Sequence, residues 1–366
     1  MNQFTSLALA GVAVLGLAVS ASADSLDRAG SLLLYPLFDN NRGGLYTITV
    51  TNTNNDTTPS AQSQQLLNGT IDVEFVYING DNCLEFNRTR RLTPNDTITV
   101  TTLLDNPNQA TGYAYVFAKS PITGQAVNFD YLIGDSFQVA PFISGGLDIP
   151  PIVFRASSTF VPGAATDIDN DGVRDLNGSE YEKVSDKLIV PRFFADSQGV
   201  SEPGIILIGL TGQAFTTIIN FLIYNDNEEV FSAQYSFDCW DRILLRNING
   251  AFTNTFLQST NHNPNEFVLF AGLGVPALVG GPIILPPVVP QLEYGWYRMD
   301  GAVAFSTAAS VSDPAFLAVN VERLITWNFD AKKAEGFVAA AASLPYGVGE
   351  QANGDLIQHG PFPDNN

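Results

Sequence analysis

Short runs in which apolar and polar residues alternate dominate the chain. Leu45–Thr51 alternates tyrosine, isoleucine and valine with threonine, and Thr97–Leu103 has a similar pattern. A period of two places one face of a β-strand in the core and the other in water. Turn-forming sequences such as Asn79-Gly80-Asp81-Asn82 separate the runs. The pattern therefore predicts a protein built from many short strands.

Several features of the first half recur in the same order in the second half. Leu33–Phe38 resembles Leu188–Phe193, and Val73–Tyr77 resembles Ile219–Ile223. Further matches are Cys83 with Cys239, Asp105–Asn108 with His262–Asn265, and Ala126–Ile133 with Ala318–Ile325. This shared order indicates two diverged copies of one domain.

The fold class follows from the strands and the repeat together. We predict an all-β protein with two tandem immunoglobulin-like antiparallel β-sandwich domains, with a jelly roll as the alternative. Helical periodicity is nearly absent, and the best helix candidate is Ala331–Ser343. The predicted organisation is a signal peptide at 1–23, copy 1 at 24–145, a connector at 146–186, copy 2 at 187–330 with an apolar insertion at 267–290, and a tail at 331–366.

The N-terminal residues predict export. Leu7–Val19 is apolar, and Ala21-Ser22-Ala23 supplies the small residues of a signal-peptidase site, with Asp24 as the mature N-terminus. The segment before it, Met1–Ser6, lacks the usual lysine or arginine. The apolar run is too short to cross a bilayer. We therefore expect a secreted protein, extracellular or periplasmic, without a transmembrane anchor.

Charge and cysteine usage agree with this compartment. The 366 residues include 17 Lys+Arg and 37 Asp+Glu, which gives a net charge of −20. Such a surface repels nucleic acid and anionic lipid, so both are excluded as partners. Cys83 and Cys239 are expected to form a disulfide, the alternative being two buried thiols. Because they follow matching strands, we expect the bridge to join the two copies across a pseudo-two-fold contact.

The connector contains the one motif that indicates chemistry. In Asp167-Ile168-Asp169-Asn170-Asp171-Gly172-Val173-Arg174-Asp175, acidic residues alternate and a glycine permits a sharp turn. Calcium prefers several hard oxygen ligands, which this spacing supplies. The predicted ligands are the carboxylates of Asp167, Asp169, Asp171 and Asp175, the Val173 carbonyl, and Glu180. The loop resembles those of thrombospondin type 3 repeats and, less closely, EF-hands, from which it departs because Gly178 replaces the final glutamate. Glu180 or, alternatively, Glu182 is expected to take the place of that glutamate, or the loop binds calcium more weakly.

The apolar insertion 267–290 contains no charged residue, and its prolines forbid a continuous helix. It is interpreted as a loop buried against the sandwich or, alternatively, as a contact surface for a second copy of the chain or another surface protein. Pro-containing and strand motifs across the chain resemble secreted bacterial tandem β-sandwich proteins with no assigned activity. These motifs are Tyr35–Asn40, Cys83–Thr89 and Leu92–Thr97. The resemblance implies the fold and the compartment.

No residue pattern predicts catalysis. The two histidines, His262 and His359, lie in a turn and in the tail, and neither suits a catalytic triad. We expect a non-enzymatic structural or adhesive protein with a structural calcium site. Two alternatives remain: a lectin-like module that binds polysaccharide on an aromatic platform, and a glycoside hydrolase using paired carboxylates. The platform candidates are Trp240, Trp296 and Trp327, and the carboxylate candidates are Glu74, Glu85 and Glu322.

Overall fold

A computed structural model shows an all-β protein composed of antiparallel sheets. The residues that it describes are 28–41, 45–55, 68–139, 146–185, 187–197, 201–210, 215–225, 227–260, 293–307, 310–328, 333–342, 344–345 and 356–358. The predicted signal peptide, the insertion 267–290 and both histidines therefore lie outside the described residues.

The first half forms two sheets. Sheet 1 has the order β5-β2-β7-β8, and sheet 2 has the order β4-β3-β6-β1-β9. Their strands are β1 (Leu32–Asp39), β2 (Leu45–Asn52), β3 (Ile71–Asn79), β4 (Glu85–Leu92), β5 (Thr97–Thr101), β6 (Thr111–Lys119), β7 (Leu132–Val139), β8 (Gly146–Asp148) and β9 (Ile152–Phe154). The last two strands complete the sheets, although the sequence placed them in the connector.

The second half also forms two sheets. Sheet 3 has the order β15-β12-β18-β19, and sheet 4 has the order β14-β13-β16-β11-β20, with β17 paired to β16. Their strands are β11 (Lys187–Phe194), β12 (Ser201–Gly209), β13 (Thr216–Asn225), β14 (Val230–Phe237), β15 (Trp240–Leu244), β16 (Tyr294–Phe305), β17 (Ser310–Ser312), β18 (Phe316–Asn328), β19 (Lys333–Ala342) and β20 (Leu344–Pro345).

The two halves share one strand order. β1–β6 and β9 correspond to β11–β16 and β20, and β7–β8 to β18–β19. β1 and β11 also share an irregularity, because the register breaks after Tyr35 in one and after Val190 in the other. Pro36 and Pro191 lie within these interrupted stretches. Because proline has no backbone N–H, it cannot donate to the hydrogen-bond ladder between the strands. The immunoglobulin-like assignment stays a prediction.

The partner registers revise two of the sequence matches. In the first half, Leu132 pairs with Asn52, the last residue of β2. In the second half, Phe316 pairs with Gly209, the last residue of β12. Leu132 therefore corresponds to Phe316, and its match with Leu324 is wrong. The cysteine match is also wrong, because Cys83 lies between β3 and β4, whereas Cys239 lies between β14 and β15.

The sheets pack in the order 1, 2, 3, 4. Ile206 and Ile208 of sheet 3 belong to the same core cluster as sheets 1 and 2, whereas Ile205 and Leu207 face the core shared with sheet 4. Because sheets 2 and 3 are covered on both faces, β1 is buried along its entire length. The outer strand β2 instead alternates buried and partly exposed positions, as the sequence pattern predicted.

A disulfide between Cys83 and Cys239 joins the two halves, as predicted, across 156 residues of chain. Beside it, Trp240 is buried and its Nε1 donates to the Pro36 carbonyl at 2.9 Å. The predicted pseudo-two-fold contact is wrong. By strand order, sheet 3 of the second half corresponds to sheet 1 of the first half. The contact between the halves is made by sheets 2 and 3, which are not equivalent. A two-fold axis would instead bring equivalent sheets together.

In the part of the chain that the structure describes, helices are few and short. They are α1 (Thr102–Asp105), α2 (Leu245–Ile248), α3 (Asn254–Thr260) and one 3₁₀ turn, Gly250–Phe252. The predicted helix Ala331–Ser343 is wrong, because Lys333–Ala342 pairs with β18 along ten residues. Tertiary strand pairing overrides the helix propensity of its alanines. Among the described residues, none of the helices has the length and apolar character needed to cross a membrane.

Candidate functional site

The connector is fixed against the first half. Leu176, Tyr181 and Val184 are buried in the core cluster of sheets 1 and 2. A short strand, β10 (Val173–Asp175), pairs with β21 (Leu356–Gln358) near the C-terminus. The acidic loop is therefore held at both of its sides by ordered structure.

Three carboxylates of the loop converge. Oxygens of Asp167, Asp169 and Glu180 lie within 4.8 Å of one another. The sequence spacing predicts the two aspartates, and Glu180 is one of the two glutamates predicted to replace the missing glutamate of an EF-hand. Like charges at this separation repel each other unless a cation lies between them.

Glu180 closes the loop through backbone hydrogen bonds. Its side chain is fully buried, and its two oxygens accept from the backbone N–H of Ile168 at 2.9 Å and of Asp175 at 3.2 Å. Burial raises the pKa of Glu180 to about 7, although the hydrogen bonds and Arg174 favour its ionised form. Each carboxylate oxygen has a second lone pair that can coordinate a metal.

Asp167 has one oxygen engaged and one free. Its Oδ2 accepts from Arg174 Nη2 at 2.9 Å, whereas its Oδ1 is buried without a hydrogen-bond partner among the described residues. A buried oxygen without a donor is destabilising on its own. The free Oδ1 is therefore available to a cation.

The other predicted ligands lie in the same loop and take part in local hydrogen bonds. Asp171 Oδ1 accepts from the Val173 N–H at 2.7 Å. Asp175 Oδ2 accepts from Asn177 Nδ2 at 3.2 Å. Burial, followed by repulsion from Asp171 and Asp169, raises the pKa of Asp175. These contacts show that several negative charges share a small volume.

Two left-handed residues give the loop its shape. Asn170 has a φ of 60° and Gly172 a φ of 81°, a conformation that glycine and asparagine tolerate. The turn brings Asp169 back towards Asp167. The donor set consists of carboxylate oxygens, which suits a hard cation such as calcium better than a soft metal. The residues present therefore fit calcium.

The aromatic candidates do not form one platform. Trp240 is buried between the halves, and the side chain of Trp327 lies outside the described residues. Trp296 is half-buried on the outer face of sheet 4, where it stacks on Tyr224 with 3.9 Å between ring centroids and 2° between planes. Sequence reasoning missed Tyr224, which is opposite Trp296 on the neighbouring strand.

The carboxylates considered for glycoside hydrolysis have structural contacts. Glu74 is fully buried and pairs with Lys119 Nζ at 2.8 Å. Glu322 is buried in the other half and accepts from the Phe194 N–H at 3.0 Å. Glu85 is half-buried on β4. Glu74 and Glu322 therefore do not form a catalytic pair.

Sequence reasoning also missed Arg174. Its side chain is only 3% exposed, and its guanidinium lies 5.2 Å from the ring centroid of Phe117. From the sequence alone, an arginine within an acidic loop is expected to be exposed to solvent. The burial of Arg174 becomes evident only from the structure, in which its strand β10 pairs with β21.

Comparison with known proteins adds no relative. No protein-family model matches the chain, and no curated protein matches it significantly. The resemblance to secreted tandem β-sandwich proteins stays a prediction.

Proposed function

We propose that this is a non-enzymatic secreted or cell-surface structural protein in which calcium fixes the connector to the first sandwich. The observation that carries the proposal is the convergence of Asp167, Asp169 and Glu180 within 4.8 Å. Calcium takes six to eight oxygen ligands. The three carboxylates would supply part of this shell, and Asp171, Asp175, the Val173 carbonyl and water are the candidates for the remainder.

The proposed role is structural because of what surrounds the loop. Leu176 and Tyr181 anchor the connector in the first core, and Asp175 at the end of β10 pairs with Leu356 near the C-terminus. Ordering the loop would stabilise both contacts. The ion would also offset the mutual repulsion of the carboxylates.

The shared strand order supports an origin by duplication. Both halves arrange their strands identically and break register at the same proline-containing position. Independent domains would have no reason to share that irregularity. We therefore interpret the protein as two diverged copies of one domain, each of them an immunoglobulin-like sandwich.

The disulfide supports export. Disulfides such as the Cys83–Cys239 bridge form and persist mainly in oxidising compartments and are rare in the cytosol. Together with the apolar segment Leu7–Val19 and its cleavage sequence, it favours secretion or periplasmic residence. The apolar insertion 267–290 remains the candidate surface for contact with a second copy or with another surface protein.

Thermal unfolding in calcium and in EGTA tests the structural role. Saturating calcium stabilises a folded protein by about 2.7 kcal/mol at a hundredfold excess over Kd, which corresponds to a shift of several degrees. We expect Asp169→Ala, which removes a ligand oxygen, to lose the shift, and Asp81→Ala, the same change in an exposed turn, to retain it. An equal shift in both variants, or no shift in the wild type, would contradict the proposal.

The stacked pair of Tyr224 and Trp296 favours a second function, carbohydrate binding. Because the two rings stack on each other, one face of the half-buried Trp296 ring is left for the apolar face of a sugar. In affinity electrophoresis on a polysaccharide gel, Trp296→Ala should abolish retardation while the far-ultraviolet circular dichroism stays that of the folded protein. Phe305→Ala, which removes an exposed aromatic at the far end of β16, is the matched control. Retardation that survives Trp296→Ala would exclude this platform.

A further inference from the structure

Three exposed leucines lie close to one another on the first half. Leu84 is 58% exposed, Leu103 45% and Leu104 80%. Leu84 follows Cys83 in the turn between β3 and β4, whereas Leu103 and Leu104 lie on α1. The Leu84 carbonyl accepts from Gln109 Nε2 at 2.9 Å, which holds the turn beside the segment that follows α1. Grouped apolar side chains on a surface mark contact sites, whereas single ones are ordinary.

Arg88 adds a cation to this surface. Its guanidinium lies 4.7 Å from the ring centroid of Phe86, and its Nε donates to the Asp105 carbonyl of α1 at 3.3 Å. Nine other arginines form ion pairs, whereas Arg88, which is partly exposed, has no carboxylate partner among the described residues. Its remaining donors suit a carboxylate from outside the chain. The Arg88 surface consists of Leu84, Arg88, Leu103 and Leu104.

An apolar surface of opposite charge lies on the second half. Val230, Tyr224 and Trp296 are cross-strand neighbours on β14, β13 and β16. Val230 is 53% exposed, and the two rings stack on each other. Glu228 and Glu229, in the turn before Val230, are exposed. Glu228 forms no ion pair within the part of the chain that the structure describes. These five residues are the Glu228 surface.

The two surfaces lie on opposite sides of the four stacked sheets. Arg88 contacts α1, which follows β5 of sheet 1, so the Arg88 surface belongs to the side of sheet 2 that faces sheet 1. The Glu228 surface lies on the outer face of sheet 4, together with Trp296. Because stacked sheets are about 10 Å apart, sheets 2 and 4 are separated by about 20 Å. The two surfaces therefore cannot meet within one molecule.

We propose that copies of this chain associate head to tail, with the Arg88 surface of one copy on the Glu228 surface of the next. Arg88 pairs with Glu228, and the leucines pack against Val230 and the stacked rings. Burial of these apolar side chains supplies most of the free energy of association, because an exposed ion pair contributes little. The ion pair instead selects which surfaces meet.

Each copy in such a contact keeps one free surface of each kind, so the contact is heterologous and repeats from copy to copy. The net charge of −20 opposes association. At physiological ionic strength this repulsion is screened beyond about 8 Å, whereas the direct pair of Arg88 and Glu228 lies within that distance. The proposal goes beyond the calcium site, because neither surface contains a predicted calcium ligand.

Analytical ultracentrifugation of the full mature chain at physiological ionic strength tests the proposal. With increasing protein concentration, the weight-average mass of the wild type should rise above that of a dimer. Arg88→Glu and Glu228→Arg should each weaken association about tenfold or more, because each brings like charges together. An equimolar mixture of the two variants should restore association, because the exchanged charges again pair with their opposites.

The matched control is Arg91→Glu, the same change on the opposite face of β4, where Arg91 pairs with Asp72 at 2.7 Å. It should associate like the wild type. Circular dichroism checks the fold of each variant, and Glu228→Arg, which changes an exposed turn residue, decides the question if Arg88→Glu does not fold. A wild type that stays monomeric or stops at a dimer would overturn the proposal. Unchanged association of Glu228→Arg, or equal association of Arg88→Glu and Arg91→Glu, would also overturn it.

Discussion

Removal of the disulfide should destabilise the protein strongly, because the bridge closes a long loop. The double variant Cys83→Ala, Cys239→Ala removes the disulfide between the halves. Among the described residues, this bridge is the only covalent link between the halves apart from the polypeptide chain itself. Cross-linking limits the conformations of the unfolded chain. The effect therefore acts on the unfolded state and increases with loop length.

The magnitude follows from the separation of 156 residues. The chain-entropy relation gives a loss of about 17 cal/mol/K in the unfolded state, or about 5 kcal/mol at 25 °C. Measured disulfide contributions typically lie near 2–4 kcal/mol. We therefore expect the free energy of unfolding to fall by about 2–5 kcal/mol.

Urea unfolding followed by tryptophan fluorescence measures this loss. Trp240 lies beside the bridge and reports on the contact between the halves. The wild type in reducing agent and the double variant should unfold at the same urea concentration, well below the oxidised wild type. A loss under about 1 kcal/mol would refute the reasoning, since a loop this long constrains the unfolded chain far more.

Two further predictions concern the contact between the halves and the surface of sheet 1. A Cβ added at Gly80 would lie 2.3 Å from Trp240 Cε3, so Gly80→Ala should destabilise the protein by about 1–3 kcal/mol in urea unfolding. In the control Gly250→Ala the added Cβ meets open space, so stability should change by less than about 0.5 kcal/mol. Equal effects of the two variants would contradict the close packing of Gly80 against Trp240. Partial desolvation, followed by hydrogen bonding and repulsion with Asp135, raises the pKa of Asp148 to about 6 from its usual value of 3.8. The folded state then binds a proton that the unfolded state releases, so stability falls as the pH rises from about 4 to 6. Because Asp148 is exposed, Asp148→Asn should add less than about 1 kcal/mol at pH above 7 and nothing near pH 4; a gain of equal size at both pH values would exclude this cause.

The outer sheets were predictable from the sequence, and the inner ones less so. β2 buries Tyr46, Ile48 and Val50 on one face, which the alternation revealed. β1 and β12 are covered on both faces, so their apolar runs indicate strands but not which sheets meet. The arrangement of sheets 2 and 3 depends on tertiary packing.

Errors arose where local sequence and strand pairing disagree. The alanines of β19 favour a helix in isolation, but β18 offers a ladder of partners. The cysteines appeared equivalent because each follows a strand resembling the other, although β14 separates Cys239 from β13. Spacing along the chain does not reveal how many strands intervene.

At the candidate site, spacing identified the acidic ligands but not their neighbours. Alternate acids and a glycine predicted the turn that joins Asp167 and Asp169. The burial of Arg174 depends on β10 pairing with β21 nearly two hundred residues later along the sequence, which no local pattern encodes.

Direct calcium titration by isothermal calorimetry tests the central claim. We expect one calcium ion bound per chain in the wild type and in Asp81→Ala. Asp169→Ala, which removes the ligand oxygen altogether, should lose that binding while keeping the far-ultraviolet circular dichroism of the folded protein. No calcium binding in the wild type, or unchanged binding in Asp169→Ala, would contradict the assignment of the acidic loop as a calcium site.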